Sequence, residues 1–421
     1  ENYDLDIVDV LPYYLIKTSM PNYANIDLIL STIDLEENYD IPVIKIGNIS
    51  NGGNIVIDNS TQYVKKELLA IDEKYHIKNG DILISLTGSH MNQPNSMVGR
   101  CCRNLDNTIY LLNQRAGKII PKKTIVKDFL YYVFRLQSIQ YAIANRAYGG
   151  ANQVNVSPKD VMGIKFNIPD IAVQKKIAKV LVAYDSLIEN NNKRIRLLEQ
   201  MAENLYKEWF VRFRFQGYED VKFENRIPKS WEIKRLFEFG KIETGKTPSK
   251  ERDQNYGGDI MFIKTPDMHD NIYVISTDEF LSKEGHLTQP KKLLPENSIM
   301  VSCIGTGGVV AINDRPAHTN QQINSIILSK SEYLEWLYFV CKNLKEIIEM
   351  FGATGSTMTN LSKGKFEKLK VVTPPEKLIL EYHELTKNLF IEVRVLLHKN
   401  DLLVKQRDML LPRLMSGKLE V

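Results

Sequence analysis

AVQKKIAKVLVAYDSLIENNNKRIRLLEQMAENLYKEWFVRF, residues 172–213, carries a seam of side chains spaced by alternating steps of four and three. The seam consists of Ile177, Leu181, Tyr184, Ile188, Asn191, Ile195, Leu198, Ala202, Leu205 and Trp209. This spacing is a heptad pattern, which predicts one long helix that packs along its length against another helix. At ~1.5 Å per residue the helix would span roughly 60 Å.

A looser seam lies near the end of the chain, at Leu385, Leu389, Val393, Leu396, Leu403, Leu410 and Leu414. The two stripes can bury each other as an intramolecular antiparallel pair, and a homodimeric coiled coil is the alternative. Asn191 and Asn400 lie near the middle of the seams, where facing asparagines would fix the register. The residues expected to pair the helices are Ile188, Asn191, Ile195, Leu198, Leu205, Leu396, Asn400, Leu403 and Leu410.

The segments before the two helices resemble each other in order. Ile41-Pro-Val-Ile-Lys45 resembles Ile260-Met-Phe-Ile-Lys264, and Asn113-Gln114 returns as Asn320-Gln321. Further matches join 81–88 to 298–305, 128–132 to 332–336 and 155–169 to 360–374, while the offset falls from 219 to 205. Short β-branched strands, with one helix near 126–145 and its partner near 331–350, indicate a mixed α/β domain in each copy.

The predicted fold class is therefore α+β. Two mixed α/β domains stand in tandem, separated and joined by two long antiparallel coiled-coil helices, as a pseudo-twofold repeat. The expected boundaries are 1–169 for the first domain, 170–216 for the central helix, 217–374 for the second domain and 375–421 for the distal helix.

Composition narrows the class of protein. With 43% hydrophobic and 25% charged residues, and no apolar run of membrane-spanning length, we expect a cytoplasmic protein without a membrane partner. The acidic start also lacks the basic and apolar regions of a signal peptide. The net charge is +4, and residues 74–169 hold thirteen basic groups against four acidic ones, which would suit a phosphate backbone. A solvated surface is the alternative for that charge.

Metal and nucleotide sites are not indicated. Cys101, Cys102, Cys303 and Cys341 lack CxxC spacing, and the seven histidines are scattered, so we expect buried thiols and no metal. Residues 240–247, GKIETGKT, satisfy the P-loop pattern. The polar segment after them has no apolar helical face, whereas a P-loop must lead into a helix. We therefore interpret this segment as a polar loop that carries lysines towards DNA.

Polar loops at the strand ends recur in both copies and are the candidate DNA-binding segments. Glycine permits close backbone approach, Asn and Gln suit adenine, and Arg and Lys suit guanine. An ordinary turn is the alternative for each loop taken singly. The candidate DNA-binding residues are Lys45, Asn48, Ser89, His90, Asn92, Arg100, Arg103, Asn152, Gln153, Lys246, Thr247, Ser249, Lys250, Arg252, Lys264, Thr306, Gln321, Thr354, Ser356 and Thr357.

The central segment IPDIAVQKKIAKVL, residues 168–181, and LLEQMAENLYKEWFVRFRF, residues 197–215, resemble the helical region of type I restriction-modification specificity subunits. KQRDMLLPRLMSGK, residues 405–418, is similar to the distal helix of that family, and 227–231 with 244–249 to the start of a target recognition domain. The resemblance runs from about residue 40 to the end. Gln216 stands where many members have proline, and the first copy lacks a Gly-x-Thr-Pro opening.

The resemblance implies a non-catalytic subunit that reads a bipartite, asymmetric site on double-stranded DNA. It implies two modification subunits as partners, which methylate adenine N6, and possibly restriction subunits. S-adenosylmethionine, ATP and Mg are then expected on those partners and no cofactor on this chain. The alternatives are a DNA-binding or scaffold subunit of a methylation-only or type IIB-like system, or an autonomous nuclease or NTPase.

Overall fold

The computed structural model of the chain describes residues 8–10, 39–58, 60–70, 72–93, 96–150, 153–224, 226–269, 272–352 and 359–421. The chain divides into two compact units. Unit 1 comprises Glu1–Glu189 and Leu403–Val421, and unit 2 comprises Asn190–Leu402. Each unit combines one mixed α/β portion with segments of two long helices. No helix in the described ranges combines the length and apolarity needed to cross a bilayer.

Unit 1 is built on two four-stranded sheets with the orders β1-β9-β5-β7 and β3-β2-β8-β4, and a small sheet β10-β11-β6. Its strands are β1 (Val8–Val10), β2 (Tyr39–Ile44), β3 (Gln62–Lys65), β4 (His76–Ile77), β5 (Ile82–Ser85), β6 (Thr87–Gly88), β7 (Cys101–Arg103), β8 (Tyr110–Leu112), β9 (Ala116–Pro121), β10 (Tyr148–Gly149) and β11 (Val154–Asn155). Its short helices are α1 (Lys127–Arg135), α2 (Gln137–Ala144) and α3 (Pro158–Met162), followed by the start of the long helix α4 (Ile171–Tyr206).

Unit 2 repeats this plan with a five-stranded sheet β15-β23-β19-β21-β17, a three-stranded sheet β18-β16-β22 and three two-stranded sheets, β12-β13, β14-β25 and β20-β24. Its strands are β12 (Phe223–Glu224), β13 (Ile227–Pro228), β14 (Glu232–Arg235), β15 (Gly240–Thr244), β16 (Tyr256–Ile263), β17 (Tyr273–Val274), β18 (Phe280–Leu281), β19 (Ile299–Ser302), β20 (Ile304–Gly305), β21 (Val310–Asn313), β22 (Ala317–Thr319), β23 (Ile323–Leu328), β24 (Thr359–Asn360) and β25 (Lys370–Thr373). Its helices are α5 (Lys283–Leu287), α6 (Leu334–Asn343), α7 (Lys345–Gly352), α8 (Lys363–Phe366) and most of the long helix α9 (Glu376–Met415).

Strand register confirms the repeat. Strand β2 runs parallel to β8, with Ile44 opposite Leu112, and β16 runs parallel to β22, with Ile263 opposite Thr319. The short pair β6 and β11 has its counterpart in β20 and β24. The regions 126–145 and 331–350 each form two short helices instead of the single helix predicted. In unit 1 the break falls at Leu136, whose extended backbone (ψ 128°) ends α1.

Both long helices form and run antiparallel within each unit. In unit 2, Asn191 Nδ2 donates to Asn400 Oδ1 at 2.9 Å, and Tyr382 Oη donates to the Ala202 carbonyl at 2.9 Å. In unit 1, Asp185 of α4 pairs with Arg407 of α9 at 2.7 Å. Helix α4 ends at Tyr206, and a π-helical turn at Lys207–Val211 follows it directly.

Packing corrects one seam position of the distal helix. Leu385 is 55% exposed, whereas Tyr382, Thr386 and Phe390 are buried. The buried stripe at the start of α9 is therefore set by aromatic residues and a threonine whose hydroxyl donates to the Tyr382 carbonyl. Of the other helix-pairing residues, Asn191, Ile195, Leu396 and Asn400 are buried, and Ile188, Leu198, Leu205, Leu403 and Leu410 are half-buried.

A buried ionic network joins the α/β portion of unit 1 to its helices. The Asp185 carboxylate accepts hydrogen bonds from Tyr132 Oη at 2.6 Å, Arg407 at 2.7 Å and Arg103 at 3.3 Å. Arg135 lies 3.9 Å from the same carboxylate. These side chains are almost fully buried, so charges that lack water are compensated by one another.

The corresponding position in unit 2 is apolar. Phe390 stands 205 residues after Asp185 and packs on Phe339, with ring centroids 6.0 Å apart. Phe339 in turn stands 204 residues after Arg135, and Ala202 stands 205 residues before Arg407. At this equivalent position the junction between α/β portion and helices is thus ionic in unit 1 and aromatic in unit 2, whose own ion pair between α9 and the α/β portion, Arg394 with Asp314 at 2.6 Å, lies elsewhere.

Candidate nucleic-acid interface

In both units, a lysine and an Asn-Gln pair lie where two parallel strands end. Lys45 follows β2 and Asn113 follows β8, and the Asn113 amide donates to the Ile44 carbonyl at 3.1 Å. In unit 2 the Asn320 amide donates to the Ile263 carbonyl, also at 3.1 Å, which places Asn320 beside Lys264. We call these two places the strand-end edges. Because parallel strands end on the same side of a sheet, each edge brings together residues distant in sequence.

A short helical turn follows each lysine and is held by a side-chain cap. The Lys45 amide donates to Asn48 Oδ1 at 2.9 Å, and the Lys264 amide donates to Asp267 Oδ2 at 2.7 Å. The Asn48 amide group also donates to the Val56 carbonyl and to Thr61 Oγ1. Asn48 is 5% exposed, so its hydrogen-bonding capacity serves the turn, and we withdraw it from the DNA-binding candidates. Burial raises the pKa of Asp267.

The segment with the P-loop pattern is part of the strand-end edge of unit 2. Residues 240–244 form strand β15, and the Lys246 amide donates to the Thr319 carbonyl at 2.9 Å. A Cβ atom at Gly245 would lie 2.2 Å from the Asn320 carbonyl oxygen, so only glycine fits there. Thr247 Oγ1 donates to Gln321 Oε1 at 2.5 Å. Residues 245–252, which we call the lysine loop, are thus bonded directly to the Asn320-Gln321 pair.

At the strand-end edge of unit 2, the Glu279 carboxylate, which the sequence did not single out, contacts two of the candidate lysines. Glu279 Oε1 lies 2.5 Å from Lys264 Nζ and 3.5 Å from Lys250 Nζ. The hydrogen bond from Lys264 is the main cause that lowers the pKa of Glu279. Lys246, Ser249, Lys250, Arg252 and Gln321 are exposed, whereas Thr247 and Lys264 are half-buried.

A second set of loops adjoins the strand-end edges. After β5, the Leu86 amide donates to the Arg115 carbonyl at 3.0 Å, and after β19 the Cys303 amide donates to the Gln322 carbonyl at 2.7 Å. These bonds tie the residue just before β6 to the residue after Gln114, and the residue just before β20 to the residue after Gln321. The exposed candidates on these loops and their neighbours are Asn92, Gln153 and Thr306. His90 is half-buried, and Asn152, Thr354, Ser356 and Thr357 lie outside the described residues.

Two candidates have structural partners instead of a free surface. Ser89 is 7% exposed, and its hydroxyl donates to the Gln93 carbonyl at 2.8 Å, which closes its own loop. Arg103 is 6% exposed, belongs to the Asp185 network and stacks 4.6 Å from the Tyr131 ring centroid. We withdraw both as DNA-contacting residues. Arg100 is half-buried and donates to the Ile46 carbonyl at 3.2 Å, beside Lys45.

Buried thiols and histidines lie away from this chemistry. All four cysteines are free and buried, and burial raises the pKa of Cys102 to about 12 and that of Cys303 to about 11. His318 of β22 contacts His286 at 3.0 Å, and burial, then the neighbouring His286, lowers the pKa of His318 to about 4. Within the described ranges, no three His, Cys, Asp or Glu side chains converge as metal ligands.

In comparisons with known proteins, a family model matches two separate segments of the chain. The family model described as the type I restriction modification DNA specificity domain matches residues 23–200 and 228–378. The type I restriction enzyme HindI specificity subunit of Haemophilus influenzae is 30% identical over 411 residues, covering 82% of this chain and 88% of that protein. The MjaIX specificity subunit of Methanocaldococcus jannaschii is 28% identical, covering 73% of each chain.

The fold is similar to that of a solved relative. The crystal structure of the type I restriction-modification S subunit from M. genitalium superposes with a TM-score of 0.55 at 15% sequence identity, covering 98% of this chain and 95% of that one. The first matched segment lies mainly in unit 1 and the second lies in unit 2, which fits the repeat described above. The chain belongs to the family of type I restriction-modification specificity subunits, and its role is DNA recognition.

Proposed function

We propose that the chain reads the two halves of a bipartite, asymmetric DNA target through its two strand-end edges. The observation that carries this proposal is that one hydrogen-bonded framework occurs twice and presents different side chains. Lys45 with Gln114 recurs as Lys264 with Gln321, whereas the lysine loop that contains Lys246 belongs to unit 2. A repeated framework with different side chains suits a target whose halves differ in sequence.

The contacts divide into two kinds by chemistry. Lys246, Lys250 and Arg252 are exposed cations on one loop, which suits contacts with phosphates that position the protein without reading sequence. Gln321, Gln153 and Asn92 are exposed amides, which suit the edges of bases in the major groove. Lys45, Lys264, Arg100, Thr247, Ser249 and Thr306 complete the proposed surface, with His90 at its margin.

The chain itself is non-catalytic in this proposal and works in the cytoplasm as part of a larger complex. It positions two modification subunits, which transfer methyl groups from S-adenosylmethionine to adenine N6, and restriction subunits where the system has them. ATP and Mg act on those partners. Family membership supports this arrangement, and the long helices α4 and α9 are proposed to set the spacer between the half-sites.

Single-molecule methylome sequencing of a host with and without the gene tests the proposal. We expect one bipartite N6-methyladenine motif to disappear when the gene is removed. If the methylome does not change, the proposal is wrong. A scaffold without DNA affinity would capture the modification subunit yet show no sequence preference in binding. An autonomous enzyme would reveal itself by metal-dependent cleavage or nucleotide hydrolysis with the purified chain alone.

A further inference from the structure

One polar position on the strand-end edges differs between the units although its surroundings are shared. In unit 1, β3 pairs with β2 so that Gln62 lies opposite Val43. In unit 2, β18 pairs with β16, and the Phe262 amide donates to the Glu279 carbonyl at 3.1 Å. Val43 and Phe262 occupy the same place in the repeat, so Gln62 and Glu279 are equivalent. The sequence match alone did not show this, because the loops between these strands differ in length.

The two side chains face strand positions that are close to the lysine of each edge. Lys45 and Lys264 come two residues after Val43 and Phe262. In unit 2 the contact is direct, since Lys264 Nζ lies 2.5 Å from Glu279 Oε1, and both side chains are about 30% exposed. The other oxygen, Glu279 Oε2, is buried and has no hydrogen-bond partner among the described residues, and the same holds for Gln62 Oε1. Each unit therefore buries one unpaired oxygen at this place, which is unfavourable in the free protein, and rotation of the side chain would let a donor on DNA satisfy it.

Residues shared by both edges cannot distinguish two different half-sites. The lysine, the asparagine and the glutamine of the edges are identical in the two units, whereas Gln62 and Glu279 differ in charge and in hydrogen-bonding character. A carboxylate only accepts hydrogen bonds, and an amide both donates and accepts. A difference in base preference between the edges can thus arise at this position.

The chemistry of base pairs indicates what each residue would select. In the major groove a G·C pair offers acceptors on guanine and an amino donor on cytosine, while adenine offers one acceptor and one donor side by side. A lysine donor next to a carboxylate acceptor matches the G·C pair, and an amide matches adenine. We propose that position 62/279 determines specificity, with Lys264 and Glu279 reading a G·C pair in one half-site and Gln62 reading adenine in the other. This inference rests on the proposed DNA-binding role of the edges.

Reciprocal exchange provides the test. The full chain, assembled with its modification subunits, would select DNA from a randomised duplex pool, and the selected sequences would be compared between wild type, Glu279→Gln and Gln62→Glu. We expect Glu279→Gln to lower the preference for G·C at one position of one half-site by roughly 5- to 150-fold, with the other half unchanged. Gln62→Glu should alter one position of the opposite half.

Glu232→Gln is the matched control, because it removes one exposed carboxylate that pairs with Lys234 at 3.2 Å in the same unit. It should leave the selected sequence as in wild type. An unchanged selected sequence for both exchanges, or a uniform loss of affinity for all sequences, would overturn the inference. If wild type itself selects no sequence, the proposed function fails instead. Should Glu279→Gln not fold, as judged by circular dichroism, Gln62→Glu decides the matter alone.

Discussion

Replacing Asp185 by asparagine would remove the one carboxylate that Arg103, Tyr132 and Arg407 share. The Asp185 side chain is 5% exposed, and those of Arg103 and Arg407 are 7% and 8% exposed, so water cannot replace the lost charge. The remaining carboxylates of the network, Asp128 and Asp408, are about half exposed. Removing one partner of a buried ion pair costs about 3–5 kcal/mol, and we expect Asp185→Asn to destabilise the protein by about that amount.

The distribution of tryptophan makes the effect assignable to one unit. All three tryptophans, Trp209, Trp231 and Trp336, lie in unit 2. In a urea titration, fluorescence therefore reports unit 2, while circular dichroism reports both units. We expect Asp185→Asn to move the dichroism transition to lower urea by more than the fluorescence transition. The two probes are fitted separately, since a chain with two units need not unfold in one step.

Glu392→Gln is the control for this experiment. Glu392 pairs with Arg194 at 2.7 Å, the same distance as Asp185 to Arg407, but both side chains are at least one-third exposed. An exposed pair of this kind contributes about 0–1 kcal/mol. If Asp185→Asn cost no more than Glu392→Gln, burial would not be what gives the network its importance, and the reasoning would be refuted.

Three further outcomes are expected. Changing Lys246, Lys250 and Arg252 together to alanine should weaken DNA binding. Because each phosphate contact contributes about 0.9 to the slope of log affinity against log salt, that slope should become about 2–3 smaller in magnitude. An unchanged slope in a salt series would exclude this loop from the phosphate contacts. Because His318 is held neutral with a pKa of about 4 against 6.5 for an ordinary histidine, the unfolded chain binds more protons between these values. Unfolding free energy should then fall by up to about 1.4 kcal/mol per pH unit as the pH drops from 6.5 to 4, and His318→Leu, the residue type found at the equivalent Leu111, should remove that dependence in fluorescence-monitored titrations. Replacing both Asn191 and Asn400 by leucine should raise the thermal midpoint while permitting other pairings, visible as a mixture of monomer and dimer by light scattering; a purely monomeric variant would argue against a role in register.

The strand-end edges illustrate which binding residues can be found in a sequence. Lys246, Thr247 and Gln321 were predicted from polar composition near glycine and from the repeat, and the structure brings them into one hydrogen-bonded group. Arg103 has the same apparent character in the sequence, yet it is buried against Asp185, 82 residues away. Composition cannot separate these cases, because an arginine suits a phosphate and a buried carboxylate equally well.

The long helices were within reach of the sequence because a heptad seam is a local property, repeated every few residues and readable without partners. The repeat was likewise visible, since equivalent strands keep their apolar pattern. Only the tertiary structure decided that Glu279 lies beside Lys264, that Asn48 caps a turn, and that the junction with the helices is ionic at Asp185 but aromatic at Phe390. Each of these features depends on strand register or on contacts between segments that are distant in the sequence. Burial of side chains and pairing of strands decide such contacts, and the spacing of residues along the chain does not specify them.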